Sequence, residues 1–378
     1  MRNSPRKNSH LSHLLYASAA TFVLLQASNA YANPTGAVVA SGDITITTPQ
    51  AGKLVINQGS DKAVINWNNF DIDAGESTQF IQPSSNSVAL NRITDGNPTK
   101  ILGELSANGK IMIVNGNGVF FGENSRVDVA GMIASTADTT DADFLAGKTN
   151  LSIAGNKDAK IVNKGSITAA QGGLVALVAP SVRNDGVIEA NLGTVALAST
   201  ETASVDFYGD NLYSFALDKE TSSAAAGVEN NGIISVGGGK VLLTAKVAKG
   251  VVDNVINNTG IIEASSAHME GGTVVLDGGN GNVNVSGKID TSGETGGTIT
   301  VTGENIALAS ADLNASGTNG GGTVKIGGDY QGKGATPHAK TVKVDAASKI
   351  NVSATDSGNG GTSIVWSDEL TNFKGTVL

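Results

Sequence analysis

The chain has 378 residues, no cysteine, 49 glycines against 7 prolines, 4% aromatic residues and a formal charge of -9. The acidic balance argues against nucleic acid or anionic lipid as partners, and the absence of thiols excludes disulfides, thiol catalysis and thiolate metal sites. Apolar residues make up 40% of the chain and recur in strand-like alternation, which argues against disorder.

In chain order, residues 1–32 read as a secretory signal peptide, with the Sec machinery as its implied partner. Arg2, Arg6 and Lys7 give a positive start, Leu14 to Leu25 an apolar middle, and Ala30-Tyr31-Ala32 a small-x-small exit. The apolar stretch is short and diluted by Ser and Thr, so it does not read as a membrane anchor. The mature chain is expected to begin at Asn33, and loss of three cations takes the charge from -9 to -12.

Residues 33 to about 150 carry separate landmarks rather than repeats. These are Ile65-Asn66-Trp67-Asn68-Asn69-Phe70-Asp71-Ile72, Gly75-Glu76, Val88-Ala89-Leu90-Asn91-Arg92-Ile93-Thr94 and Ile101-Leu102-Gly103. Next come Ala107-Asn108-Gly109-Lys110 and, after Ile111 to Val114, Asn115-Gly116-Asn117-Gly118-Val119-Phe120-Phe121-Gly122. Ala134-Ser135-Thr136 and Asp143-Phe144-Leu145-Ala146-Gly147 close the block.

Repeats follow, and they decide the fold class. An apolar-x-Asn-x-Gly-x-Ile-x-small pattern starts at Ile161, Val182, Val228 and Ile256, and places Asn163, Asn184, Asn230 and Asn258 at one position. A Gly-x-apolar-x-apolar pattern starts at Gly173, Gly193, Gly239, Gly272, Gly297 and Gly322, with spacings of 20, 46, 33, 25 and 25, and an imperfect copy at Gly361. Each repeat holds short strands with one apolar face. It can bury that face and pair its backbone only by stacking on the next repeat, at about 4.8 Å per layer. The expected fold is all-β, a parallel β-helix, or β-solenoid. Glycine is expected to supply positive φ at the corners, asparagine to tolerate the same region, and the four asparagines to form a partial ladder. Helical solenoids and propellers lack their signatures here; a β-sandwich would share the short, regularly spaced strands. The 46-residue gap holds Thr202 to Val228, with Phe207, Tyr208, Tyr213 and Phe215, read as an extra coil or an extra-helical hairpin packed on the side.

The landmarks of the first block, in their order and spacing, resemble the haemagglutination-activity, or two-partner secretion, domain of filamentous-haemagglutinin-type exoproteins. The resemblance covers roughly 33–260 well and 261–378 loosely. It implies a right-handed parallel β-helix with an N-terminal cap. It also implies an outer-membrane β-barrel transporter as partner, with the chain crossing in a Gram-negative bacterium and folding outside. The family's Asn-Pro-Asn-Gly-Ile hallmark corresponds to Asn115-Gly116-Asn117-Gly118-Val119, with Gly116 in place of proline and Val119 in place of isoleucine. Asn91-Arg92 corresponds to its Asn-Arg-Val/Ile landmark. The implied secretion and transporter-recognition residues are therefore Asn91, Arg92, Asn115, Gly116, Asn117 and Gly118; the same residues would also serve simply to hold a corner turn. The chain divides into a signal peptide (1–32), a secretion domain (33–260) and glycine-rich β-helix repeats (261–378). The last reads as truncated, since solenoids usually end in a polar cap and an open coil invites aggregation.

Catalytic chemistry finds little footing. Beyond the signal segment only His268 and His338 remain, neither at metal-ligand spacing. Asp138, Asp141 and Asp143 lie in one loop and read as acids with no basic partner, short of the arrangement that carbohydrate cleavage requires. Asp277 to Asn282 is an incomplete version of a calcium-binding repeat. Asn-x-Ser/Thr sequons begin at Asn150, Asn257, Asn284, Asn314 and Asn351. The expectation is a secreted or surface-displayed adhesin, not an enzyme, with no cofactor and no metal, and with an unidentified host receptor. Alternatives are a contact-dependent inhibition toxin lacking its C-terminal module, a haem or haem-carrier capture protein, and a polysaccharide-acting β-helix enzyme.

Overall fold

The computed structural model describes residues 33–205, 215–267 and 271–378. The signal-peptide reading of 1–32, residues 206–214 with Phe207, Tyr208 and Tyr213, and His268 lie outside them. Three long sheets of 12, 10 and 13 strands build the described chain, the 10-stranded one beginning only at Thr99–Ile101. One coil visits each sheet once: Leu174–Ala179 in the first, Ser181–Asn184 in the second, Val187–Glu189 in the third, and then Thr194–Ser199 in the first again. Successive coils pair parallel and in step, with Leu174 beside Thr194 and Asn163 beside Asn184. The expected parallel β-helix is thus present. Inward side chains of all three sheets form one continuous apolar core, from Trp67, Phe70, Phe80 and Phe121 to Ile326 and Ile350.

The N-terminal end is capped by antiparallel strands. Val38–Ser41 pairs with Lys62–Trp67, and Ile44–Gln50 with Lys53–Gln58, which ends the first and third sheets in reversed strands. At the other end, Thr362–Val365, Leu370–Phe373 and Thr376–Val377 each lie last in their sheet, and Leu370, Phe373 and Val377 are exposed.

The repeat glycines are needed for a reason other than the expected one. Gly173, Gly193, Gly239, Gly272, Gly297 and Gly322 do not have positive φ. They stand in a column, each above the carbonyl of the one before. A β-carbon on Gly193 would sit 2.1 Å from the Gly173 oxygen, and one on Gly239 2.2 Å from that of Gly193. The same carbonyls accept the first strand N–H of the next coil, as in Thr194 N to Gly173 O at 2.9 Å. Close backbone approach is what excludes a side chain. The left-handed positions fall one residue earlier, at Gly172 and Gly238, and in the coil between them at Leu192. The repeated asparagines are likewise not left-handed. They end second-sheet strands, fully buried, and each donates to the next: Asn163 to Asn184 at 2.8 Å, Asn184 to Asn230 at 2.9 Å and Asn230 to Asn258 at 2.8 Å.

A second apolar core lies outside the helix. Thr149–Leu151, Thr202–Val205 and Phe215–Lys219 form a three-stranded antiparallel sheet, so the Thr202 segment is an extra-helical hairpin. With the short helix Asp141–Leu145 it covers the outward face of the first sheet, where Phe144, Leu151, Ala203 and Val205 pack on Leu90, Met112, Ile133, Ala176 and Ala196. Strands under this cover are buried at every residue, as in Leu174–Ala179, whereas the uncovered Thr273–Asp277 alternates. Burial on both faces is what a continuous apolar run signals.

Candidate functional site

The six residues singled out by the motif fall on two adjacent coils. Asn91 and Arg92 lie on Val88–Ile93, which pairs with Lys110–Val114, and Arg92 is in register with Val114. Asn115 to Gly118 form the corner that follows.

Alternation along the strand sends Asn91 inward and Arg92 outward. Asn91 is fully buried. Its Oδ1 accepts the Trp67 indole N–H at 2.9 Å, and its amide donates to the carbonyls of Ala89 and Met112. The indole packs edge-on against Phe70, with ring centroids 5.4 Å apart. Asn91 therefore lets a tryptophan enter the core with its N–H satisfied.

Arg92 is a clamp. Its Nε donates to Asp138 Oδ2 at 2.6 Å, Nη1 reaches Asp141 Oδ1 at 2.9 Å and Asn66 Oδ1 at 3.1 Å, and Nη2 donates to the Thr139 carbonyl at 2.9 Å. Partial burial alone would lower the guanidinium pKa, but the two carboxylates outweigh it and raise it. This corrects the reading of Asp138, Asp141 and Asp143 as acids without a basic partner: Arg92 comes from a strand 46 residues away to engage two of them. The third, Asp143, accepts from Thr140 Oγ1, whose own oxygen caps the Asp143 N–H. The cluster ties the extra-helical insertion to the first sheet.

The turn is held from three coils. Gly118 N–H donates to Asn115 O at 3.0 Å, and neither Gly116 nor Asn117 has positive φ, which fits a type I turn. Asn115 is buried. Its Oδ1 accepts the Asn117 N–H at 2.9 Å, and its amide reaches back to Asn97 O at 2.9 Å and Thr99 Oγ1 at 3.0 Å. Asn117, half-buried, donates to Asp95 O, and Gly116 O accepts the Asn156 N–H of the following coil. Gly118 needs to be glycine: its φ is +115°, and a β-carbon would meet Lys160 O at 2.5 Å. Gly116 does not, since a β-carbon there meets nothing nearer than Gly155 Cα at 3.6 Å. Trp67, Thr99, Asp95 and Asn156 were not foreseen as partners. The usable signal was spacing, because the coil offset here is 26 residues, Trp67 standing beside Ile93, which leaves Asn91 on the same inward face one step away.

The other candidates lie elsewhere. Asp277 turns its carboxylate onto the Gly279 N–H and Thr302 Oγ1. His338 sits near the C-terminal end beside Asp368.

A capped parallel β-helix with an extra-helical cover and this buried turn defines a β-helical secretion domain. The chain belongs to the TPS (two-partner) secretion domain family, which it matches over residues 30–291. It is 30% identical over 346 residues to a heme/hemopexin-binding protein of Haemophilus influenzae, covering 84% of this chain and 37% of that protein. Its likeness to the protein of the same name from a second strain of that species is also 30%, over 86% of this chain and 36% of the other. The chain thus spans little more than a third of the length of these relatives. The solved HMW1 secretion domain from Haemophilus influenzae superimposes with a TM-score of 0.76 at 26% identity, over 91% of this chain and 99% of that one. The filamentous hemagglutinin secretion domain gives 0.45 at 15% identity, over 87% and 100%. Domains of this family belong to exoproteins that Gram-negative bacteria export through a partner outer-membrane transporter.

Proposed function

We propose that residues 33–260 are the export address of a surface or secreted exoprotein of adhesin type, that 1–32 route it through Sec, and that 261–378 extend the stalk. The observation that carries this is the family match together with the turn Asn115 to Gly118, secured to the coils on both sides. Folding of that turn presents Gly116 and Asn117, its half-buried members, to the transporter; Asn115 and Gly118 hold the turn, while Asn91 secures Trp67 in the core beneath and Arg92 ties the extra-helical insertion to the first sheet. We read the domain as non-catalytic: Arg92 and the helix cap occupy the acids of the 138–143 segment.

The test is secretion of the full chain with and without a two-partner transporter. Transporter-dependent appearance in the medium is expected, abolished by Asn117→Ala although that variant still refolds in vitro with native stability. Appearance without the transporter would sink the reading. Export of Asn117→Ala at the normal rate would reduce the turn to a structural role.

A second reading, capture of haem or its carrier, is favoured by the names of the two curated relatives. Immobilised chain should then retain haem-loaded hemopexin from solution, and failure to do so excludes it for this segment.

A further inference from the structure

Seven asparagines of the chain are followed by glycine. Such a pair is open to a reaction that needs no enzyme. The glycine backbone nitrogen, with no side chain beside it as a screen, attacks the asparagine amide carbon. A five-membered succinimide closes, the nitrogen's proton passes to solvent base, and the amide nitrogen leaves as ammonia. Water then opens the ring at either carbonyl, giving aspartate or isoaspartate. Closure requires an amide free to turn and a following N–H free to leave its place.

The fold withholds one or both at six of the seven. Asn108 accepts the Gln82 N–H at 2.7 Å and donates to the Gln82 carbonyl at 2.8 Å, and the Gly109 N–H donates to Gln82 Oε1 at 3.0 Å. Asn115 is buried and bonded at both amide atoms. Asn117 donates to Asp95 O, and the Gly118 N–H is held by Asn115 O at 3.0 Å. Asn231 lies between Asp185 and Thr259, with the Gly232 N–H on Asn184 O at 3.0 Å. Asn319 donates to Glu294 Oε1 at 2.8 Å and accepts from the Ser357 hydroxyl at 3.1 Å. Asn280 is exposed with a free amide, but the Gly281 N–H is tied to Gly278 O at 2.9 Å.

Asn359-Gly360 has neither restraint. Both residues are exposed, and neither the Asn359 amide nor the Gly360 N–H has a hydrogen-bond partner among the described residues. The space is open too, since a β-carbon on Gly360 would meet nothing nearer than Val352 O at 4.0 Å. The backbone on either side is fixed: Asn359 O accepts the Gly321 N–H at 3.0 Å, and the Gly361 N–H donates to Val352 O at 2.6 Å.

We infer that Asn359 is a site of spontaneous modification in the folded chain, its amide closing on the Gly360 nitrogen and being converted by water to aspartate and isoaspartate. The place gives the reaction a consequence. Isoaspartate routes the backbone through the side chain and lengthens it by a methylene. The corner it enters has no slack, because a β-carbon on Gly361 would sit 2.0 Å from Gly322 O. The strand that follows, Thr362–Val365, lies last in the first sheet and pairs on one side. The isoaspartate form therefore loosens that strand. The pairs at Asn115 and Asn117 are the converse case, shielded for as long as their turn is folded.

Unfolding removes every restraint, so the test compares the full chain folded and in urea at mildly alkaline pH. Samples are quenched in acid, cut with pepsin and mapped by mass spectrometry, which reads the exchange of amide for acid at each pair. In urea the seven should convert at comparable rates. A hydrogen bond that must break first slows a step by up to about tenfold. In the folded chain Asn359 should keep its rate, the five with bonded amides should slow by about tenfold or more, and Asn280 by less. Gly360→Ala fits the open space and should slow Asn359 several-fold by screening the nitrogen. Another pair converting ahead of Asn359 in the folded chain, or Asn359 slowing with the rest, overturns the proposal. An unchanged rate in Gly360→Ala does so as well, because the acid would then form by direct hydrolysis and not through the ring. Hydrogen exchange in Thr362–Val365 should be faster in the isoaspartate form, and equal exchange would overturn the consequence assigned to the corner.

Discussion

At Gly116 the chain departs from the hallmark turn, and the local geometry says what the departure costs. Proline suits the second position of a type I turn because its ring pre-sets φ. Gly116 has no positive φ, a β-carbon fits there, and no backbone bond from its N–H is among those of the turn. Gly116→Pro should therefore stabilise the domain by about 0.4–1 kcal/mol, by restricting the unfolded chain. Urea denaturation measures it, and a loss of stability would show that the turn is not of the kind assigned. Asn115 and Gly118 were legible from their motif. Their reasons were not: Asn115 is needed for an amide that reaches the coil before it, and Gly118 for the carbonyl of Lys160 in the coil after it. Neither neighbour can be read from a short motif.

At the scale of the element, the asparagine ladder and the extra-helical sheet make different demands. The two middle rungs, Asn184 and Asn230, each accept from one neighbour and donate to the next, and all four asparagines are fully buried. Asn184→Ala removes a middle rung and strands a donor on Asn163 and an acceptor on Asn230. A buried unsatisfied polar group costs about 1–3 kcal/mol, so the loss should exceed that of Asn258→Ala at the end of the row. Equal losses in chemical denaturation would mean that the rungs act singly. Phe144 is the largest side chain that the short helix Asp141–Leu145 buries against the first sheet. Phe144→Ala should cost about 3–5 kcal/mol. Hydrogen exchange should quicken first in Thr149–Leu151 and Thr202–Val205, with the inner core strands protected; uniform quickening would show that the cover and the helix open as one unit. The hairpin's presence was legible from the irregular 46-residue gap. Its third strand, Thr149–Leu151, comes from a separate insertion and carries no local mark of its partner.

For the molecule as a whole, several carboxylates are tied to the stack in ways that acid will undo. Burial alone would raise the Asp290 carboxyl, but the Ser292 hydroxyl and N–H and the Lys288 ammonium outweigh it and hold it below its ordinary range. Asp185, Asp345 and Glu304 are lowered too. A carboxylate depressed in the folded state contributes stability above its unfolded pKa, about 4, and loses it as pH falls through the folded value. The melting temperature should thus be level near neutrality and fall below about pH 4. Asp290→Asn should reduce that fall while lowering stability near pH 7. An unchanged acid limb in the variant would remove Asp290 from the account.

The sequence by itself determined the period, the strand faces and the glycine and asparagine columns. These are one-dimensional facts: a repeating unit must meet its own copy in the next layer, so the chain's own pattern says what each position touches. Only the tertiary structure decided why the glycines are needed, and which residues meet where coil lengths vary. Trp67 finds Asn91 and Arg92 finds Asp138 because particular loops make particular coils longer or shorter, and each insertion resets the count. The turn Asn115 to Gly118 lies among these irregular coils, so its motif is legible in the chain while the partners that hold it in shape are set by the stack.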